Sequence, residues 1–193
     1  MARRKTIVVD LETTNLDWTI AGVLEVGAVN LETGETLAFA PYVFPHALAT
    51  ADPESFAVNR YFERRVFERA LDKPGTADAY GKLAEWLDGA TLAGSNPRYD
   101  AYCLSTAFTA FDYGLPREPW HHRLADLAAY TAGALGIAPG ELPGLAECCS
   151  LLGVPYDTAQ AHGALYDATV TADCFRKLAK TAGERYAAHY SNA

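Results

Sequence analysis

Four β-prone residues, Thr6-Ile7-Val8-Val9, run directly into two carboxylates separated by one apolar residue, Asp10-Leu11-Glu12. In an extended chain positions i and i+2 point to the same face, so Asp10 and Glu12 project side by side where the strand ends. Neighbouring carboxylates repel, and one of them resists ionisation unless a cation neutralises both. Such a pair suits a hard, oxygen-preferring ion such as Mg²⁺. The competing reading of these residues is an acidic cap, with Asp10 or Thr13 opening a helix. The rest of the chain has to decide between the two.

The apolar patterning that follows predicts an α/β fold. After a strand over 5–10 comes a second over 22–30, mostly apolar as befits a central strand, with Glu25 its lone charge. Thr33-Gly34 makes a tight turn and 35–44 returns as a third strand, which gives an antiparallel meander. Pro45 and Pro53 mark a loop. Helical spacing covers 54–70 and 76–88, the latter with Thr76 as its cap and Gly89 at its end. A short strand over 91–95 leads through Asn96-Pro97-Arg98-Tyr99-Asp100 into a helix ending near Phe111. A last strand around 123–125 feeds a helix to Leu135, and after a loop from Gly136 to Pro143 come helices over 144–152 and 163–182. Strands first, then strands alternating with helices, describe a mixed sheet covered by helices. With no internal repeat and no linker, residues 1–193 read as one domain.

Composition narrows the function classes. A net charge of −8 argues against a generic polyanion binder, which would be basic. No stretch approaches the ~20 apolar residues of a membrane span. The basic start, Met-Ala-Arg-Arg-Lys, is followed by an apolar run that stops at Asp10, too short for a secretory signal. Cys103, Cys148, Cys149 and Cys174 form no CxxC pair and no zinc spacing, so they read as buried, reduced thiols of a cytoplasmic protein.

Three more acids stand where chemistry is expected, one of them Glu25, on the strand expected next to Asp10 and Glu12. Asp100 follows a strand and begins a helix, four residues after Asn96, and could equally be a first-turn acid favoured by the helix dipole. Asp167 sits one turn into the final helix, within His162-Gly163-Ala164-Leu165-Tyr166-Asp167-Ala168. Five residues apart on a continuous helix, His162 and Asp167 would differ by about 140°. They meet only if His162 lies on the loop before the helix, which Gly163 makes easy. A histidine at the mouth of an acidic site can act as a general base. His121, His122 and His189 carry no motif and read as surface or structural, and Asp126 reads as a helix cap.

Asp10-x-Glu12, Asn96-x-x-x-Asp100 and His162-x-x-x-x-Asp167, in this order, resemble the motifs of the DEDDh exonucleases. This is the family of ribonuclease T and of the proofreading epsilon subunits of bacterial replicative polymerases. Asp10-Leu-Glu-Thr-Thr, Leu24-Glu-Val-Gly-Ala-Val and His162-Gly-Ala-Leu-Tyr-Asp-Ala are similar to the epsilon type almost letter for letter. The likeness spans roughly residues 5–180. It implies a ribonuclease H-like sheet, three antiparallel strands followed by two parallel ones, flanked by helices. It also implies a 3′→5′ exonuclease that releases nucleoside monophosphates from single-stranded ends, DNA slightly ahead of RNA.

By this resemblance two Mg²⁺ or Mn²⁺ ions, about 3.5–4 Å apart, would clamp the attacking and leaving oxygens. Asp10 would bridge them, Glu12 and Asp167 would complete one, and Asp100 would hold the second. His162 would take the proton from the attacking water. Thr13, Thr14, Leu16, Trp18, Asn96 and Arg98 are the expected substrate-binding residues. Trp18 reads as a stacking residue or a half-buried loop tryptophan, and Arg98 as a phosphate contact or a surface arginine. Phe56 and Tyr61 fall where the family has a cleft-lining helix. The chain departs from the pattern at Asn15, where relatives have glycine, and at Pro97-Arg98, where they have small residues.

Expected partners are DNA or RNA 3′ ends and no membrane. A homodimer stays open, and so does a polymerase partner, although the short stretch after the last helix favours a free-standing nuclease. Two rival readings remain: a phosphodiesterase for very short oligonucleotides, and a non-catalytic binding module on the same fold. The latter should have lost one of the acids.

Overall fold

The computed structural model describes residues 4–111 and 118–191, with side chains described through Thr181. His189 therefore lies outside the described side chains. β1 (Thr6–Thr13), β2 (Val23–Asn30) and β3 (Thr36–Phe39) form the antiparallel meander. β4 (Thr91–Gly94) and β5 (Ala125–Asp126) add in parallel, giving the order β3-β2-β1-β4-β5. This is the ribonuclease H-like arrangement expected from the motifs. Between β3 and β4 lie α1 (Pro45–Ala49), α2 (Pro53–Asn59), a 3₁₀ turn (Val66–Arg69) and α3 (Lys73–Leu87). Then follow α4 (Pro97–Ala110), α5 (Leu127–Leu135), α6 (Leu145–Leu152) and α7 (Ala164–Ser191). No helix among the described residues is long and apolar enough to cross a membrane.

The sheet divides the core in two. Ile7, Val9 and Leu11 of β1 point to one face, where Tyr80, Leu83 and Leu87 of α3 and Leu104 and Phe108 of α4 cover them. Val8 and Val29 point to the other, under Leu127 of α5, Cys148 and Cys149 of α6, and Ala168, Cys174 and Phe175 of α7. All four cysteines are buried thiols. β1 thus keeps the alternation of a strand buried on both faces, and the same alternation puts Asp10 and Glu12 on the α7 side.

Several boundaries differ from the sequence reading for identifiable reasons. The helix expected over 54–70 stops at Asn59, because Arg60 and Arg65 take left-handed backbone (φ 51° and 53°). Asn59 is buried and bridges two main chains: its Nδ2 donates to Thr13 O at 3.2 Å and its Oδ1 accepts from Tyr61 N at 3.1 Å. That tertiary anchor outweighs helix propensity. α3 starts three residues early, on Asp72, whose carboxylate accepts from Gly75 N at 2.8 Å. Thr76, expected as the cap, instead accepts Tyr42 N at 2.7 Å. β3 is only four residues long, Pro45 opens a short helix, and α7 continues to Ser191 rather than ending near 182. Asp126 caps α5 as expected, accepting from Ala128 N and Ala129 N.

Candidate active site

β1 and β4 pair only from Thr6–Thr91 to Val8–Ala93, and then part. The fork at the carboxyl ends of two parallel strands is where α/β sheets place their sites. Beyond the fork the N–H of Leu11 lacks a β4 partner, and the Asp100 carboxylate fills the gap, its Oδ1 accepting that N–H at 3.1 Å. Asp100 stands in the first turn of α4 and is buried. On the other side, β1 pairs with β2 so that Asp10 faces Gly27 and Glu12 faces Glu25. Directly paired residues share a face. Gly27 matters there because a Cβ on it would collide with the Ala164 carbonyl group and Leu165 N. Its bare backbone lets the start of α7 settle onto the sheet, and Asp167 in the first turn comes down beside Asp10 and Glu12.

His162 lies on the loop before α7, as the spacing required, in left-handed backbone at φ 60°. Its N–H donates to Asp167 Oδ2 at 2.9 Å. Glu12, His162 and Asp167 each bring one ligand atom within 4.8 Å of the others, with the two acids buried and the histidine exposed. The second oxygen of Asp167, Oδ1, is buried and has no hydrogen-bond partner. A buried carboxylate oxygen facing other carboxylates without a donor is in the state that a cation relieves.

Electrostatics point the same way. Burial, then the charges of Asp100, Glu12 and Asp167, hold the Asp10 carboxyl well above its ordinary range. Burial, then Asp167 and Glu25, push Glu12 up to about 8 against the opposing pull of Arg64. Asp100 is raised by burial to about 7 in spite of the Leu11 N–H, and burial raises Asp167 although the His162 N–H and Arg64 oppose it. Four oxygen donors that cannot all ionise together, with one histidine at the rim, fit hard divalent ions.

The sequence model of the exonuclease family matches residues 7–175. The chain belongs to that family. The exonuclease is 29% identical over 188 residues to ribonuclease T of Yersinia enterocolitica, covering 89% of this chain and 83% of that protein. It is also 29% identical over 187 residues to the DNA polymerase III epsilon subunit of Salmonella typhimurium, covering 92% and 72%. Among solved structures, E. coli exonuclease I in complex with a dT13 oligonucleotide superposes with a TM-score of 0.67 at 16% identity. That match covers 97% of this chain and 43% of exonuclease I, so the chain spans less than half the length of that structural neighbour. The enzyme is a 3′→5′ phosphodiester hydrolase acting on nucleic acid.

Around the acids stand the other residues expected from the motifs, together with Arg64, Arg69, Tyr99 and Tyr102, which the motifs did not single out. Glu25 pairs with Arg64 at 2.7 Å and with Arg69. Tyr99, directly before Asp100, places its hydroxyl against Thr13 Oγ1 at 2.7 Å and against Asn15 O. Thr14 is fully buried and holds Gly22, accepting its N–H on Oγ1 at 2.9 Å. The hydroxyls of Thr13 and Thr14 are thus engaged within the loop. Leu16, Trp18 and Ile20 are exposed, and Trp18 stacks on Tyr102 of α4 with centroids 4.6 Å apart. Arg98 donates to Tyr102 Oη at 2.9 Å and lies near the same ring. Asn96 is exposed in left-handed backbone. Phe56 and Tyr61 pack with Leu24, Ala40 and Val66, in a core cluster rather than in a cleft. Tyr102 and Arg64 gave no sequence signal beyond a tyrosine two residues after Asp100 and an Arg-Arg pair.

Proposed function

We propose that this exonuclease trims single-stranded nucleic acid from the 3′ end and releases nucleoside monophosphates, with DNA slightly favoured over RNA. The observation that carries the reading is that Asp167, which brings a ligand atom within 4.8 Å of Glu12 and His162, keeps a buried Oδ1 with no hydrogen-bond partner. Asp10, Glu12, Asp100 and Asp167 would hold two divalent ions, Mg²⁺ or Mn²⁺. Those ions, when bound, supply Lewis-acid polarisation of the phosphate and stabilise the attacking and leaving oxygens.

The chain's own residues do the remainder. Asp100 is fixed by the Leu11 N–H, so the carboxylate of α4 is registered to β1 by a main-chain donor. His162, exposed at the rim, accepts the proton of the attacking water. Because its backbone N–H donates to Asp167 Oδ2, the main chain that carries the base is tied to the ligand. Trp18 on its Tyr102 support offers a ring face to a base of the strand, and Arg98 beside it offers a cation to a phosphate. The net charge of −8 favours a grip confined to the last few nucleotides. Burial of all four thiols suits a reducing, cytoplasmic setting.

The test is degradation of 5′-labelled single-stranded DNA and RNA of equal sequence, in Mg²⁺, Mn²⁺ or EDTA, beside Asp167→Ala. A ladder shortening from the 3′ end, metal-dependent and lost in the variant, is the expected result. Cleavage only of the shortest members of a length series would replace it with an oligonucleotide phosphodiesterase. Undiminished trimming by Asp167→Ala would overturn the site assignment.

A further inference from the structure

We infer that Arg60 and Arg64 are positioning residues that clamp the loop carrying His162, so that the histidine is in place before substrate arrives. The loop from Asp157 to Gly163 is held internally through its N–H groups: Ala159 N reaches Asp157 Oδ1 at 2.9 Å, and Gln160 N and Ala161 N reach Asp157 O at 3.0 and 3.1 Å. Three of its carbonyls turn away from these bonds and meet guanidinium groups about half the chain away. Arg60 Nη2 donates to Ala159 O at 2.7 Å and to Ala161 O at 3.1 Å. Arg64 Nη1 donates to His162 O at 2.7 Å. Cationic donors make short, strong bonds to carbonyls, and a planar guanidinium fixes direction as well as distance.

The clamp is itself anchored to both strands of the site. Arg64 Nη1 also reaches Asn59 O at 3.0 Å and Glu25 Oε2 at 2.7 Å, and Arg69 secures the other oxygen of Glu25. Asn59 in turn holds Thr13 O at the end of β1. A continuous set of contacts therefore runs from the strands bearing Glu12 and Glu25 to the histidine loop. Gly163 completes it, since a Cβ there would stand 3.1 Å from Arg64 Nη2. Arg60 adopts left-handed backbone to make its contacts, an arrangement maintained only where the surroundings over-determine it. Behind the loop, Arg60, Arg64, Gln160 and Gly163 line a cavity of about 710 Å³, which leaves room for water, or for a small cation replacing a lost guanidinium.

This inference rests on the reading of His162 as the base, and Arg60 separates the two. Among the described residues Arg60 forms no ion pair with a carboxylate, whereas Arg64 does. The experiment compares Arg60→Met, Arg60→Lys, His162→Ala and the Arg60→Met/His162→Ala pair, in the whole protein, on a 5′-labelled single strand. Amide exchange over residues 159–163 is measured alongside, and a thermal melt checks the fold of each variant. Arg60→Met is expected to lower kcat by about 10- to 100-fold with KM little changed, as for a misplaced catalytic group. Exchange over 159–163 accelerates, and Arg60→Lys or added guanidinium recovers part of both. In the His162→Ala background Arg60→Met costs nothing further.

A change confined to KM would overturn the clamp and make Arg60 a substrate contact. Additive losses in the pair, or unaltered exchange, would overturn it as well. If His162→Ala alone leaves kcat intact, the general-base reading fails by itself, and the exchange data decide the clamp. Should Arg60→Met not fold, Arg60→Lys carries the same comparisons with smaller expected changes, and wild-type exchange in it would refute the proposal.

Discussion

The acid cluster should make the stability of the metal-free protein fall as pH rises. In an unfolded chain Glu12 and Asp100 ionise near the ordinary carboxyl values, about 4. In the folded, metal-free protein they hold their protons to about 8 and about 7. The folded state therefore binds more protons across the interval, and the cluster's contribution to stability is full below pH 4 and is lost progressively until pH has passed 7 to 8. Because the groups repel one another, they act together to hold about one extra proton through the interval. From pH 5 to 7 it amounts to about 2.7 kcal/mol, at about 1.36 kcal/mol per unit. For a chain of this length that is a fall in Tm of about 5–11 °C. The assay is thermal unfolding by circular dichroism in EDTA at half-unit pH steps, repeated with saturating Mg²⁺ and with Glu12→Gln. Mg²⁺ should take the place of the proton and flatten the curve, and Glu12→Gln should reduce the slope. A metal-free Tm that is constant or rising from pH 5 to 7 would refute the reasoning. So would a slope indifferent to both Mg²⁺ and the variant.

Two further outcomes follow from the packing. Gly27→Ala must push the start of α7 off the sheet, costing about 1–3 kcal/mol of overpacking in a urea melt, and the displaced Asp167 should lower kcat by up to about 100-fold. Wild-type activity in that variant would mean that α7 is not seated through Gly27. Trp18→Ala should raise KM for single strands by about 5- to 100-fold, the worth of one stacked base, with kcat nearly unchanged in steady-state kinetics. An unchanged KM would leave the Trp18–Tyr102 stack as a purely structural pair.

How much was legible beforehand depended on the range of each interaction. Asp10 and Glu12 were readable because strand alternation alone puts them together, and the register only added Glu25 opposite. His162 and Asp167 were readable because five residues on a helix cannot share a face, which forced the histidine onto the loop where it lies. The break at Asn59 was not readable: the residues around Arg60 have ordinary helical spacing, and what stops the helix is a side chain hydrogen-bonded to Thr13, 46 positions away. The same holds for Arg60 and Arg64, whose partners lie about a hundred residues downstream. Thr76 shows the lesser failure, in which a good local cap is displaced by Asp72 and used elsewhere. Local periodicity foretold the elements, while their ends were set by local caps at Asp72 and Asp126 and by the long-range bond of Asn59 to Thr13.

Left-handed backbone occurs at four described residues other than glycine: Arg60, Arg65, Asn96 and His162. Three of them bear on the site, as the clamp, the approach to Asp100 and the rim histidine. Each such residue costs the fold on the order of 1 kcal/mol relative to glycine. Heat resistance and chemistry therefore select opposite residues at 162, whereas at 60 the guanidinium bonds to Ala159 O and Ala161 O outweigh the strain. A library evolved for thermal survival alone would drift toward glycine at 96 and 162, and its hardiest members would be those that had discarded the base.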